Sequence, residues 1–448
     1  MAFVRLLAAL AALALALPAA AQEAPTAGGV LRVDINAGIS KPMPIAVPAF
    51  TTPAPAPTAA GDTATLGRQV AEVVSNDLKN SGLFKPINPA AFTTGVAYAD
   101  VLAPNFGSWR TVAAQALVTG FVELKGDGSI TVGCYLYDVF SEAILAREGF
   151  STQPAFWRRA AHKCADAVYS RLTGESGYFD SRIVYVSETG KQTSRIKRLA
   201  IMDQDGANHR FLTNGQNLVL TPRFSPSQQT ITYMSYAGNR PRVYIYNIGT
   251  GQQRLVGDLP AMSFAPRFSP DGRSLIFSMA RGGNTDIYRM NVDGGAPQRL
   301  TSAPGIDTAP SYSPDGTQVT FESDRGGTQQ IYVMNADGSN QRRISFGDGR
   351  YGTPVWSPRG DLIAFTRIGG GGFRIGVMRT DGSGERQLTD SWGDEGPTWS
   401  PNGRVIMFLR GARGGRSSLW SVDLTGVNER RVPTPLDGSD PAWSPLLP

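Results

Sequence analysis

Catalysis needs nucleophiles, bases and ligands, and this chain of 448 residues is poor in most of them. It has two histidines, His162 and His209, and two cysteines, Cys134 and Cys164. So few imidazoles and thiols exclude zinc-finger sites, His-rich metal sites and a disulfide-dense scaffold. A Ser–His–acid hydrolase usually carries Gly-x-Ser-x-Gly at its nucleophile, and that motif is absent. Neither histidine has an obvious Ser or Cys nucleophile beside it in sequence, so both read as solvated surface residues. Acids are plentiful enough for a paired-carboxylate glycosidase. Most of them, however, stand in Asp-Gly turns, where backbone geometry accounts for them. Asp307, Asp394, Glu395 and Asp440 are the acids that could converge on a cation. No Gly-rich phosphate loop or nucleotide fingerprint occurs. No cofactor and no catalytic residue is expected, and the alternative is a hydrolase acting on a glycan or peptide.

Charge narrows the partner class. Lys and Arg number 43 against 37 Asp and Glu, a net +6, but the arginines are scattered beside glycines and form no stripe. A nucleic-acid binder concentrates charge on one face or helix, so nucleic acid is not expected.

Several segments must position whatever binding surface exists. Residues 1–21 combine Arg5, an apolar run from Leu6 to Leu17 and an Ala-x-Ala end, the three parts of a secretory signal peptide. Cleavage is expected between Ala21 and Gln22, leaving an exported monomer with no membrane span. Residues 22–175 read as a small α/β domain. Leu31, Val33 and Ile35 alternate as a strand, and Ile45-Ala46-Val47 forms a second. Leu66, Val70, Val73, Val74 and Leu78 mark a helix stopped at Gly82. Strands follow at 116–124, 129–140 and 143–150, then a helix from Pro154 to Leu172, with Thr152 as cap and Gly174 as stop. Cys134 lies on the face of Ile130, Val132 and Leu136, and Cys164 on that of Phe156, Ala160 and Val168. Both point inward, and a buried thiol pair and a disulfide are equally open.

From residue 180 to 448 a repeat takes over. An aromatic followed by Ser-Pro occurs six times, with the serines at 225, 269, 313, 357, 400 and 444. A second proline stands four residues before each Ser-Pro proline, at 222, 266, 310, 354, 397 and 441. The 51 glycines and 31 prolines of the chain thus find their use in turns. A period of about 40–45 residues with several short strands is the signature of a β-propeller blade. In one unit, Ser311-Tyr312 closes an inner strand, Ser313-Pro314-Asp315-Gly316 turns, and strands follow at 318–322, 330–335 and 341–345. The final repeat has only an inner strand, while 182–213 carries the other three, so the termini together make a sixth blade. The fold class is therefore a small N-terminal α/β domain followed by a six-bladed propeller closed by the C-terminal strand.

Strand order places the Ser-Pro and Asp-Gly turns on one face and the loops entering the inner strands on the other. The entering loops vary most, and an exposed apolar rim there suits a protein interface. Their candidate contact residues are Met262, Phe264, Asp307, Arg350, Tyr351, Trp392, Asp394, Glu395 and Asp440, rimmed by Arg281, Arg325 and Arg413.

With the signal segment, the motifs Val33-Asp34-Ile35-Asn36-Ala37-Gly38 and Pro44-Ile45-Ala46-Val47, and six Ser-Pro blades, the chain resembles the TolB family of the Tol–Pal envelope system. The resemblance implies a non-enzymatic periplasmic adaptor. It implies that the propeller mouth binds the peptidoglycan-associated lipoprotein Pal. It also implies that Leu31, Val33, Asp34 and Asn36, near the mature N-terminus, contact the C-terminal domain of TolA. The system it points to maintains outer-membrane integrity and assists envelope constriction at cell division. A longer start than the family's, Gln22–Gly29, sets this chain apart.

Overall fold

The computed structural model describes residues 31–33, 35, 41–93, 95–257, 259, 261–412 and 414–447. Ala21, Gln22, Asp34, Asn36 and Arg413 lie outside the described residues. Among the described residues no helix is long and apolar enough to cross a membrane.

The α/β part begins with β1 (Met43–Ala46), a short hairpin of β2 (Pro57–Thr58) and β3 (Gly61–Asp62), and helix α1 (Thr63–Asn80). Asp62 caps α1 by accepting a hydrogen bond from the Thr65 N–H at 2.9 Å. Leu66, Val70, Val73, Val74 and Leu78 form its buried stripe, and Gly82 follows its end at φ +76°. Next come β4 (Phe84–Pro86), the short α2 (Phe106–Thr111), β5 (Ala116–Leu124), β6 (Ile130–Asp138), β7 (Ile144–Thr152) and α3 (Trp157–Thr173). The sheet order is β4-β1-β5-β6-β7, with β1 parallel to β4 and β5, and the rest antiparallel. Trp109 of α2 packs with Leu117, Tyr135 and Tyr137 on one face of the sheet.

Helix α3 serves the opposite face. Its Cys164 is disulfide-bonded to Cys134 of β6, closing a link with a sequence separation of 30. Gly174 stops α3 in the left-handed region at φ +79°. Three details depart from the sequence reading. Thr152 is the last residue of β7 and not a cap, because a 3-10 turn at Pro154–Phe156 intervenes. Phe156, placed on the Cys164 face by periodicity, is exposed because it precedes the α-helical register. The described residues among 31–35 form no strand: the Val33 N–H donates to the Leu172 carbonyl at 2.8 Å, at the end of α3.

The propeller consists of six four-stranded sheets. Blade one pairs the C-terminal inner strand Asp437–Trp443 with Arg182–Thr189, setting Trp443 opposite Ile183, and continues outward through Ile196–Asp203 and Arg210–Phe211. Blades two to six follow in chain order, with inner strands Val219–Phe224, Met262–Phe268, Asp307–Tyr312, Arg350–Trp356 and Asp394–Trp399. The outermost strands are only two or three residues long, as at Arg342–Arg343, which leaves little edge for a foreign strand. In the Ser-Pro turn of blade four, the Gly316 N–H bonds the Ser313 carbonyl at 2.9 Å while Gly316 takes φ +72°. The motif aromatics join neighbouring blades: Trp356 packs with Ile331 and Val333 of blade four and with Ile363 and Phe365 of its own.

A feature with no obvious sequence signal recurs in each inner strand. The residue before the first proline is left-handed: Thr221, Ala265, Ala309, Thr353 and Asp440 at φ 47–51°, and Gly396 at +66°. Each coincides with a register shift against the second strand. Such a bulge bends the strand and re-aims the side chains beyond it.

Candidate functional site

The Ser-Pro and Asp-Gly face is occupied by the α/β domain. Asp77 of α1, fully buried, accepts from His162 Nδ1 of α3 at 2.6 Å and from Gln204 Nε2 of the propeller at 2.8 Å. Arg158 pairs with Asp205, in a blade-one Asp-Gly turn, and with Asp203 at 3.6 Å. Further ties run to blades five and six: Arg359 to Glu175 at 2.6 Å, Asn402 to the Ser176 carbonyl at 2.8 Å, and Arg404 to the Ile35 carbonyl at 2.8 Å. His162 is therefore no surface residue. Burial opposes its charge, but the Asp77 carboxylate, with Asp205 and Asp203 behind it, outweighs burial and raises its pKa to about 9. His209 is half-buried, edge-on to Phe211, and burial lowers its pKa.

The opposite face carries the entering loops, and its side chains follow the pleat of the inner strands. Positions 218, 262 and 306 are in register, 44 residues apart, and hold the exposed Leu218, Met262 and Ile306. The exposed Arg350 continues the series, and Phe346, Trp392 and Leu436 stand exposed in the remaining entering loops. Phe346, at 73% exposure, is the extreme. Every blade thus offers one large apolar side chain on this face, with Phe346 under Arg343 of the outermost strand and Trp392 at the central cavity. Between them, Trp392, Glu395, Arg416 and Asp440 line a cavity of about 580 Å³. Burial and then the charge of Asp440 push the Glu395 carboxyl up.

One residue further along each strand, the pleat turns inward. Asp307, Tyr351 and Asp394 share that register, and all three are at 0% exposure. They were expected on the surface, and the period of two puts them inside instead. Asp307 pairs with Arg325 at 2.6 Å, and Asp394 takes Arg410 through two contacts at 2.6 and 2.8 Å. The Tyr351 hydroxyl donates to Glu385 at 2.9 Å. Phe264 is half-buried, Arg281 is exposed, and Arg325 is partly buried over the Phe321 and Tyr332 rings. Val33 is likewise buried and committed to the fold, and Leu31 is half-buried.

These pairings also bear on the four acids that could converge on a cation. With Asp307 and Asp394 spent on arginines, only Glu395 and Asp440 of the four acids come together. Among the described residues the His, Cys and acid group with converging ligand atoms is His162, Asp203 and Asp205, in the tether between the two domains. The sequence reading missed Leu218, Ile306, Phe346 and Leu436 as residues of this face. The 44-residue register of Met262 points to Leu218 and Ile306 directly, whereas Phe346 and Leu436 sit off register in loops of different length.

Comparison with known proteins fits both halves. A TolB amino-terminal domain profile matches residues 31–145, and a TolB beta propeller domain profile matches residues 169–447. The Tol-Pal system protein TolB of Rhizorhabdus wittichii is 69% identical over 437 residues, 97% of this chain and 99% of that one. The chain belongs to the TolB family. Its relative from Zymomonas mobilis, also a Tol-Pal system protein TolB, is 66% identical over 435 residues, covering 96% of this chain and 94% of the other. The crystal structure of TolB from Acinetobacter baumannii superposes with a TM-score of 0.79 at 28% identity, covering 93% of this chain and 100% of that one. Family membership makes this chain a Tol–Pal system protein.

Proposed function

We propose that this protein is a non-enzymatic periplasmic adaptor of the Tol–Pal system. In this reading it is exported by a signal peptide cleaved between Ala21 and Gln22, and domains 22–175 and 180–448 divide the work. The propeller mouth binds the peptidoglycan-associated lipoprotein Pal, and the segment near the mature N-terminus engages the C-terminal domain of TolA. The complex then supports outer-membrane integrity and constriction at division.

The observation that carries the reading is the apolar ring at the mouth. Leu218, Met262, Ile306, Phe346, Trp392 and Leu436 are exposed at the face the α/β domain leaves free. Isolated exposed hydrophobics are ordinary, but one per blade on a single face is the pattern of a binding surface. Glu395, Asp440 and the exposed Arg350 give it a charged rim.

Calorimetric titration with the soluble domain of Pal tests this. The double variant Met262→Ser/Trp392→Ser is expected to lose at least tenfold in affinity while melting like the parent. Unchanged affinity would overturn the mouth assignment. Deleting residues 22–36 is expected to abolish capture of the TolA domain and spare that of Pal.

A further inference from the structure

The propeller channel has a second end, at the Ser-Pro face, and its chemistry differs from that of the mouth. A cavity of about 410 Å³ opens there, walled by the six motif aromatics and the Ser-Pro prolines. The residue between the first proline and the aromatic lines it in all six inner strands: Arg223, Arg267, Ser311, Val355, Thr398 and Ala442. The bulge just before this position aims all six side chains alike. The ring therefore sets two arginines side by side on adjacent blades.

Among the described residues no ion pair involves Arg223 or Arg267, and no Asp or Glu lines the cavity. Arg223 donates to its neighbour's Pro222 carbonyl at 2.6 Å. Desolvation, followed by the like charge of Arg223, pulls Arg267 well below its ordinary pKa. Desolvation lowers Arg223 as well, and the Asp440 carboxylate, which accepts the Thr221 N–H at 3.2 Å, opposes that. Two facing guanidiniums in a low-dielectric channel are costly unless an anion joins them.

Two hydroxyls complete the donor set. Ser311 Oγ accepts the Trp356 N–H at 3.2 Å, and Thr398 Oγ1 accepts the Trp443 N–H at 3.2 Å. Each oxygen is thus used as an acceptor while its O–H remains available to donate. Guanidinium forks and hydroxyl donors together match the oxygens of a phosphate-type group. Among the described residues the ties to the α/β domain run to blades one, five and six, and none to blades two and three, which carry the arginines.

We propose that the Ser-Pro end of the channel is a binding site for a phosphate-type oxyanion, held by Arg223 and Arg267 with Ser311 and Thr398. The anion is either free phosphate or the phosphate of a monoester whose organic part lies along the aromatic and proline wall. This site is separate from the protein-binding mouth and does not depend on it.

Calorimetry and thermal melts of the full mature chain test the proposal, with inorganic phosphate and phenyl phosphate as probes and chloride at matched ionic strength as reference. At least one phosphate probe is expected to bind and to raise the melting temperature beyond chloride. Equal binding of both probes identifies free phosphate as the ligand, and tighter binding of phenyl phosphate identifies a monoester. Arg223→Met and Arg267→Met are each expected to weaken binding at least tenfold. In phosphate-free buffer the same variants should melt no lower than the parent, because each removes one of two like charges. The proposal is overturned if neither probe exceeds chloride, or if both variants bind as the parent does.

Discussion

The two faces of the propeller are built from the same repeat and have opposite fates. The Ser-Pro face is held to the α/β domain by buried and half-buried polar groups, with Asp77, His162 and Gln204 at the centre. The entering-loop face exposes one large apolar side chain per blade, and its acids just below are already matched by Arg325 and Arg410. One face spends its polar groups on internal attachment, and the other keeps its apolar groups unspent. The contrast teaches that period alone does not assign a role: what covers a face decides it. It also implies that substitutions among the tethering groups cost stability, whereas those at the exposed positions of the open side cost binding.

The sharpest way to break this contrast is His162→Leu. It strands the Asp77 carboxylate in a fully buried position and is expected to cost about 3–5 kcal/mol in urea unfolding. Adding Asp77→Asn should recover much of that loss, and a variant as stable as the parent would show that this pair does not hold the face. The same pair sets a pH dependence. The His162 pKa is raised in the folded state to about 9 from an ordinary value of 6.5. Its contribution is therefore complete below pH 6.5 and is lost as pH rises through about 9. Denaturant melts between pH 6 and 10 should show a decline that His162→Leu lacks.

Next in size is the disulfide, which lies wholly inside the α/β part. Replacing Cys134 and Cys164 by Ala is expected to cost about 3–4 kcal/mol, from the entropy of closing a loop of 30 residues. Calorimetric melting of the variant should lower the transition of the α/β part. A smaller effect separates neighbours on the mouth side. Tyr351→Phe removes the hydrogen bond to Glu385 inside the blade and should cost about 1–3 kcal/mol of stability with partner affinity unchanged. Met262→Ser, at the exposed register, should change stability by no more than about 0.5 kcal/mol and act on affinity alone. Should Tyr351→Phe weaken binding and Met262→Ser weaken folding, the assignment of the two registers is reversed.

Much of the fold was legible because its signals are local. The Ser-Pro turn demands a fixed φ and then a positive one, and Gly316 and its counterparts supply it wherever they occur. The stripe of α1 and the glycine that ends α3 are equally local signals. The closing blade was legible from counting strands, since an incomplete repeat at each end leaves two edges to pair. The site was harder. Tyr351, Asp307 and Asp394 read as loop residues in the sequence, but the inner strand begins earlier than the turn residues suggest, and one step along a pleat moves a side chain from surface to core.

What the sequence by itself determined is the number of blades, the place of the turns, the way the ring closes and the family. All of these follow from a period and from residues whose backbone preferences are strong. Only the tertiary structure decided which acids are already matched, that Cys134 and Cys164 are joined, and that His162 is buried in the tether between the domains. It alone brought Arg223 and Arg267 to one cavity on whose wall no carboxylate stands among the described residues. The reason is physical: backbone geometry is set by neighbours in the chain, whereas burial and charge pairing are set by neighbours in space.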